Sequence, residues 1–237
     1  MRALLAWLSV ALCGGASLLA EPMEEAQRLF AVGRPAEAAA VLGKAMAKGT
    51  ATGDAWFNLG QAYSAAGEPG KALWAWRQGL REAPRDVGLR SLAGEARRRT
   101  GGMGAHPLAQ LTGWLRPEEW AGCLLAASAV LAGWMLAFRS RPTLRRQVMA
   151  WLAGFHGAVA AGWVACLMGS AGSPDAVVVT REAPVALAPV PEALPVATLP
   201  EATEVRLLRT FGEWSEVERE GRRLGWVRTA QIWRDIR

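Results

Sequence analysis

The chain has 237 residues, room for one or two domains, and 51% of it is hydrophobic. Four of the charges behind its formal net charge of +6, on Arg139, Arg141, Arg145 and Arg146, stand together between two uncharged apolar runs. That distribution excludes a basic face for nucleic acid and is the pattern of a membrane protein. Cys13, Cys123 and Cys166 all lie in apolar runs, so no CxxC pair, metal-ligand spacing or soluble-domain disulfide is available. Arginine far outnumbers lysine, which occurs only at 44, 48 and 71, a bias that suggests a GC-rich bacterial genome.

Residues 1–20, MRALLAWLSVALCGGASLLA, combine one basic residue, an apolar core and small residues up to Ala20, and Glu21-Pro22 ends the run. This is the pattern of a secretory signal peptide cleaved after Ala20, with an uncleaved anchor as the alternative because Leu18 is large for that site. Cys13 follows Leu12, a poor lipoprotein site, so no lipid is expected there.

Residues 21–100 contain an internal repeat. A shift of 34 residues aligns Ala26 with Gly60, Leu29 with Tyr63, Gly33 with Gly67, Pro35 with Pro69, Ala38 with Ala72, Leu42 with Trp76 and Ala45 with Gly79. Gly67 supports a turn, and Pro69 after it reads as the first turn of a helix. Two antiparallel helices are predicted over 53–66 and 69–82. Gly60 and Ala72 are small enough for close approach, and Trp56, Leu59, Tyr63 and Trp76 fill the space around them. A third helix, 87–99, carries Leu89, Leu92, Ala93 and Ala96 on one side and caps the stack.

Trp56, Leu59-Gly60, Tyr63, Ala72, Trp76, Gly79 and Pro84 resemble the tetratricopeptide repeat in type and spacing. The match is full over 53–86, and residues 19–52 are a weaker copy without the Trp and the closing Pro. The resemblance implies an all-α array of helical hairpins whose concave side carries Asp54, Phe57, Asn58 and Gln61. Those four are the candidate protein-binding residues, against the alternative of a solvated face. The basic carboxylate clamp of chaperone-binding members is not matched, because Asp54 and Phe57 stand in its place. So few repeats cannot bury their own apolar faces; a partner, a second copy or the membrane surface must complete them.

Residues 101–118 form a linker. Its GGMGAHP stretch has no GK[ST] and follows no strand, so it is not a phosphate loop, and His106 has no acid or thiol near it in sequence. The apolar runs Trp120–Phe138 and Val148–Met168 then predict membrane helices over 119–138 and 148–169, against the alternative of buried soluble helices. The positive-inside rule puts the arginine loop, 139–147, in the cytoplasm and both flanking domains outside, the side to which a signal peptide would send them. Trp114, Trp120 and Trp163 fall near the expected interfaces. Gly154, Ala158 and Gly162 form a small-residue ridge suited to helix packing, with Ser128 and Ala132 as a facing strip. His156 is a functional candidate by its depth. With no membrane carboxylate to relay a proton, it reads as a neutral histidine bonded to backbone or to a partner.

Residues 174–237 change to short strand-like pieces: Ala176–Val179, a segment with Pro184, Pro189, Pro191, Pro195 and Pro200 that cannot be helical, then TEVRLLR, WSEVERE, LGWVRT and IWRDI. Four or five such strands suggest a small all-β barrel. The Leu199–Val205 start, Trp214, Val217 and Gly225-Trp226-Val227 resemble bacterial SH3-like domains, with Ala202 where the family usually has Gly. Trp214, Val217, Gly225 and Trp226 are then core or rim, with a ligand box as the alternative for the two tryptophans.

The order of these parts resembles the BatE-type proteins of bacterial aerotolerance operons. The fold class expected is a multidomain membrane protein with tetratricopeptide hairpins, two transmembrane helices and an SH3-like barrel. The resemblance implies a noncatalytic accessory subunit of an inner-membrane envelope complex, beside von Willebrand A-domain membrane proteins and a MoxR-type ATPase. The alternative is a cell-wall sensor whose SH3-like domain contacts peptidoglycan peptides. No catalytic residue, cofactor or metal site is expected, and the partners are membrane proteins and the lipid bilayer.

Overall fold

The computed structural model describes residues 20–47, 51–99, 117–137, 142–171 and 174–236. The expected signal peptide (except Ala20), most of the linker with His106 and Trp114, and Arg139 and Arg141 of the connector lie outside the described residues. The chain divides into two compact units. One joins the N-terminal helices to Pro174–Arg237, and the other runs from Ala105 to Ser173.

The described residues of the first unit start with five helices: α1 over 20–31, α2 (Pro35–Met46), α3 (Gly53–Ala65), α4 (Pro69–Glu82) and α5 (Val87–Arg99). The α1–α2 and α3–α4 turns share one conformation. Gly33 and Gly67 have φ of 76° and 77°, a region glycine enters freely. The next amide, of Arg34 or Glu68, donates back to the carbonyl of Leu29 or Tyr63 at 2.9 Å in both turns. Pro35 and Pro69 then start helices whose first amides need no partner. Thr52 caps α3 by accepting from the Ala55 amide at 3.3 Å.

Gly60 lies where α3 and α4 touch. A Cβ there would stand 2.2 Å from Nε1 of Trp76, so only glycine lets the indole lie against the backbone. The glycine costs about 1 kcal/mol of helix propensity, and burying the indole returns more than that, about 1.5–3 kcal/mol.

The unit is completed by seven strands: β1 (Ala176–Val178), β2 (Glu182–Ala186), β3 (Pro195–Pro200), β4 (Glu204–Phe211), β5 (Trp214–Arg219), β6 (Arg222–Arg228) and β7 (Ile232–Arg234). They form one antiparallel sheet in the order β3-β2-β6-β5-β4-β1-β7. Alternate residues, among them Val178, Val185, Val205, Val217 and Val227, build its core. The proline-rich segment, expected only to be non-helical, supplies β2 and β3. β3 is an edge strand, and β2 meets β6 only at Ala186↔Trp226, so the prolines cost little ladder bonding. Ala202 adopts φ 61°, the glycine-like conformation, while its methyl is buried.

Helices and sheet share a core. Val177 and Ala202 pack in one cluster with Ala72, Leu73, Trp76, Leu89 and Ala93. The chain's own sheet is therefore what completes the small helical array, where a partner, a second copy or a membrane was expected to do so. α4 contacts it by backbone: a Cβ at Gly70 would stand 2.3 Å from the Val178 carbonyl oxygen, and the Gly70 amide donates to Glu201 Oε1 at 3.0 Å.

The described residues of the second unit form a pair of helices in contact, α6 (Pro117–Ala137) and α7 (Pro142–Ala171). Glu118–Ala137 and Met149–Leu167 are long and apolar enough to cross a membrane. The connector is shorter than expected: Pro142 begins α7, and Arg145 and Arg146, assigned from sequence to a loop over 139–147, belong to its first turns.

Candidate protein-binding groove

Between α1, α2 and α3 lies a cavity of about 380 Å³. Its walls are Met23, Gln27 and Phe30 from α1, Leu42 from α2, and Phe57, Asn58 and Gln61 from α3. Positions 23, 27 and 30 fall on one face of α1, as 57 and 61 do on α3. The surface is apolar with three side-chain amides. The Asn58 amide nitrogen donates to Met23 Sδ at 3.2 Å. A thioether is a weak acceptor, so a ligand carbonyl can replace it at little cost.

Three of the four groove residues read from sequence thus share one surface. Asp54 is exposed one turn away and does not line it. Phe57, expected to be exposed, is half-buried, because its ring also packs on the α4–α5 cluster. The α1 wall escaped sequence reasoning. Its signal was the Met23, Ala26–Gln27, Phe30 spacing beside the supposed leader, where the repeat pattern is weakest.

Of the residues read as repeat packing, Trp56, Leu59, Gly60, Ala72 and Trp76 are buried, and Tyr63 and Pro84 are partly so. Burial, with Glu68 adding to it, pushes the Tyr63 hydroxyl above its ordinary pKa.

A second constellation, unforeseen from sequence, joins helices to sheet. Arg77 is buried, with Nη2 2.5 Å from Asp235 Oδ2, 2.6 Å from the Pro174 carbonyl oxygen, and Nη1 3.1 Å from Glu204 Oε1. Arg97 grips the same Glu204 with two bonds, of 2.8 and 3.0 Å. Gln78 donates to Asp235 at 2.9 Å and accepts from the Ile236 amide at 3.2 Å. Burial outweighs the attraction of Arg77 and Arg81 and the Gln78 bond, and it holds the Asp235 carboxyl above its ordinary pKa. Beside this network the Trp74 indole donates to the Arg234 carbonyl oxygen at 2.9 Å and stacks edge-on with Trp233, 4.9 Å between centroids.

In the sheet, Trp226 and Val217 are buried, while Trp214 and Gly225 are half-buried. Guanidinium groups cover both indoles: Arg209 over Trp226 at 5.2 Å and Arg228 over Trp214 at 5.0 Å. In the helix pair only part of the small-residue ridge makes a contact. A Cβ at Gly162 would stand 2.6 Å from the Trp120 ring, whereas Gly154 has nothing within 4 Å and Ala158 is exposed. Gly154 and Ala158 therefore do not pack α7 on α6. Ser128 donates to the Leu124 carbonyl within its own helix. His156 Nδ1 is buried with no hydrogen-bond partner among the described residues, so that nitrogen does not make the expected backbone bond.

Comparison of the chain with protein-family models and with curated proteins gives no match.

Proposed function

We propose that this protein is a noncatalytic scaffold anchored in the bacterial inner membrane, whose α1–α3 groove receives a segment of a partner in the same envelope complex. The single observation that carries this reading is the groove itself. It is a concave apolar surface of peptide dimensions with amides on its wall, on a chain that also has two helices of membrane-spanning length and apolarity. The tetratricopeptide and SH3-like assignments, the BatE-type resemblance and the placing of both domains on the periplasmic side belong to this proposal. They are supported by the 34-residue repeat with its two like turns and by a small antiparallel sheet carrying the Leu199–Val227 motif. Von Willebrand A-domain membrane proteins and a MoxR-type ATPase are the proposed company.

The test is purification of the full-length protein from membranes in detergent, with Gln61→Trp as the groove-blocked variant and Glu213→Ala as a surface control. Stoichiometric membrane proteins should accompany the wild type and the control and be lost from Gln61→Trp. Equal recovery with all three would refute the groove as the docking site. Retention of the full-length protein on cell-wall sacculi, unaffected by Gln61→Trp, would favour a cell-wall binder instead.

A further inference from the structure

The most apolar exposed part of the first unit is neither the groove nor the helices. It is the tip of the β2–β3 hairpin. Leu187, Val190, Leu194 and Val196 are 74%, 43%, 82% and 53% exposed, and the only charged residue among 187–196 is Glu192. A soluble hairpin tip is normally polar, with Asn, Asp, Gly or Ser at its turns. Four large apolar side chains held in water across ten residues therefore need an occupant.

We infer that this tip is a membrane-contacting element, dipping its apolar side chains into the lipid interface at the surface from which α7 emerges. Three features favour lipid over a protein. The first is the tether. Only four residues, 172–175, separate α7, a helix long enough to cross a membrane, from the first strand of the sheet in sequence. The second is backbone chemistry. Pro189, Pro191 and Pro195 remove three amide donors from the tip, which lowers the cost of carrying its backbone out of bulk water. The third is the edge strand itself. Pro195 and Pro200 bracket β3 and take away donors that an added strand from another protein would need. Glu192, near the middle of the tip, sets a limit: the segment reaches the headgroup boundary and not the hydrocarbon centre.

The inference rests on the membrane-anchored reading, and the experiment separates the two. The full chain, with Cys13, Cys123 and Cys166 replaced by alanine, is reconstituted in phosphatidylcholine–phosphatidylglycerol nanodiscs. A single fluorescent label is then placed at Val190, at Glu213 in the β4–β5 turn, or at Val130 in α6. Quenching by nitroxide-bearing lipid is compared with quenching by aqueous iodide. The label at 190 should be quenched by the lipid nitroxide and be several-fold less sensitive to iodide than the one at 213. Sensitivity to iodide equal to that at 213 overturns the inference. Protection from iodide without lipid quenching also overturns it, since a second copy or a protein then covers the tip. If the label at 130 escapes lipid quenching as well, the spanning reading has failed, whatever position 190 reports.

Discussion

The two helical hairpins of the first unit begin alike and end differently. Both turn through a left-handed glycine, both return the next amide to the carbonyl five residues back, and both restart on proline. In the α3–α4 hairpin Trp76 lies on Gly60 and the space is full. In the α1–α2 hairpin the equivalent positions are Leu42 and Ala26, both buried, and together they floor a cavity. One backbone device thus serves a filled core in one place and the floor of a groove in the other. The pairs differ on both sides, an indole on glycine against an isobutyl group beside a methyl. The sheet sharpens the contrast further: it packs on α4 and α5, while the core cluster of α1 to α3 holds no strand residue among those described.

The largest test of this contrast is truncation. Trp76→Ala should cost about 3–5 kcal/mol of stability, whereas Leu42→Ala, beside a cavity that already exists, should cost about 2 kcal/mol. Denaturant unfolding of the two variants measures the gap, and equal losses would mean that the hairpins are packed alike. Arg77→Ala should be about as severe as Trp76→Ala, about 3–5 kcal/mol, because it takes the nearest cation from the buried Asp235 carboxylate and leaves Glu204 with Arg97 alone. Tryptophan emission should shift with it as the sheet loosens from α4, and a loss below about 1 kcal/mol would show that the contact is solvated. Gln61→Trp, at a partly exposed wall position of the groove, should leave stability within about 1.5 kcal/mol and empty the groove of its partner. A well-folded variant that still binds would end the equivalence of hole and site.

The smallest effect concerns pH. Asp235 has its pKa raised by burial, so the folded state holds this proton more tightly than the unfolded state does. Its charge costs stability above that pKa, and the cost is relieved as pH falls through the raised value and is gone below the ordinary one, near ~4. The difference in Tm between wild type and Asp235→Asn should therefore move in favour of wild type on acidification. Movement the other way would place the Arg77 attraction above the burial term.

Much of the helical half could be read directly. Period, proline and glycine placed α3 to α5, because helix signals are local and repeat every few residues. The site was legible on one side only. Phe57, Asn58 and Gln61 follow from their spacing on α3, while the wall they face comes from α1, whose pattern is blurred by the apolar run before it. The sheet was legible as strands but not as seven of them. β2 and β3 hide among prolines, which local rules exclude from strands and which an edge position admits.

Residue order alone determined the repeat with its two turns, the two apolar helices and the change to strands, because each depends on neighbours within a few positions. Only the folded molecule decided that the C-terminal sheet closes the helical array. That contact joins Arg77 to Asp235 and Gly70 to Glu201, across more than a hundred residues. Such pairings have no periodic trace in sequence. A buried charge shows its meaning only once the opposite charge that holds it is in place.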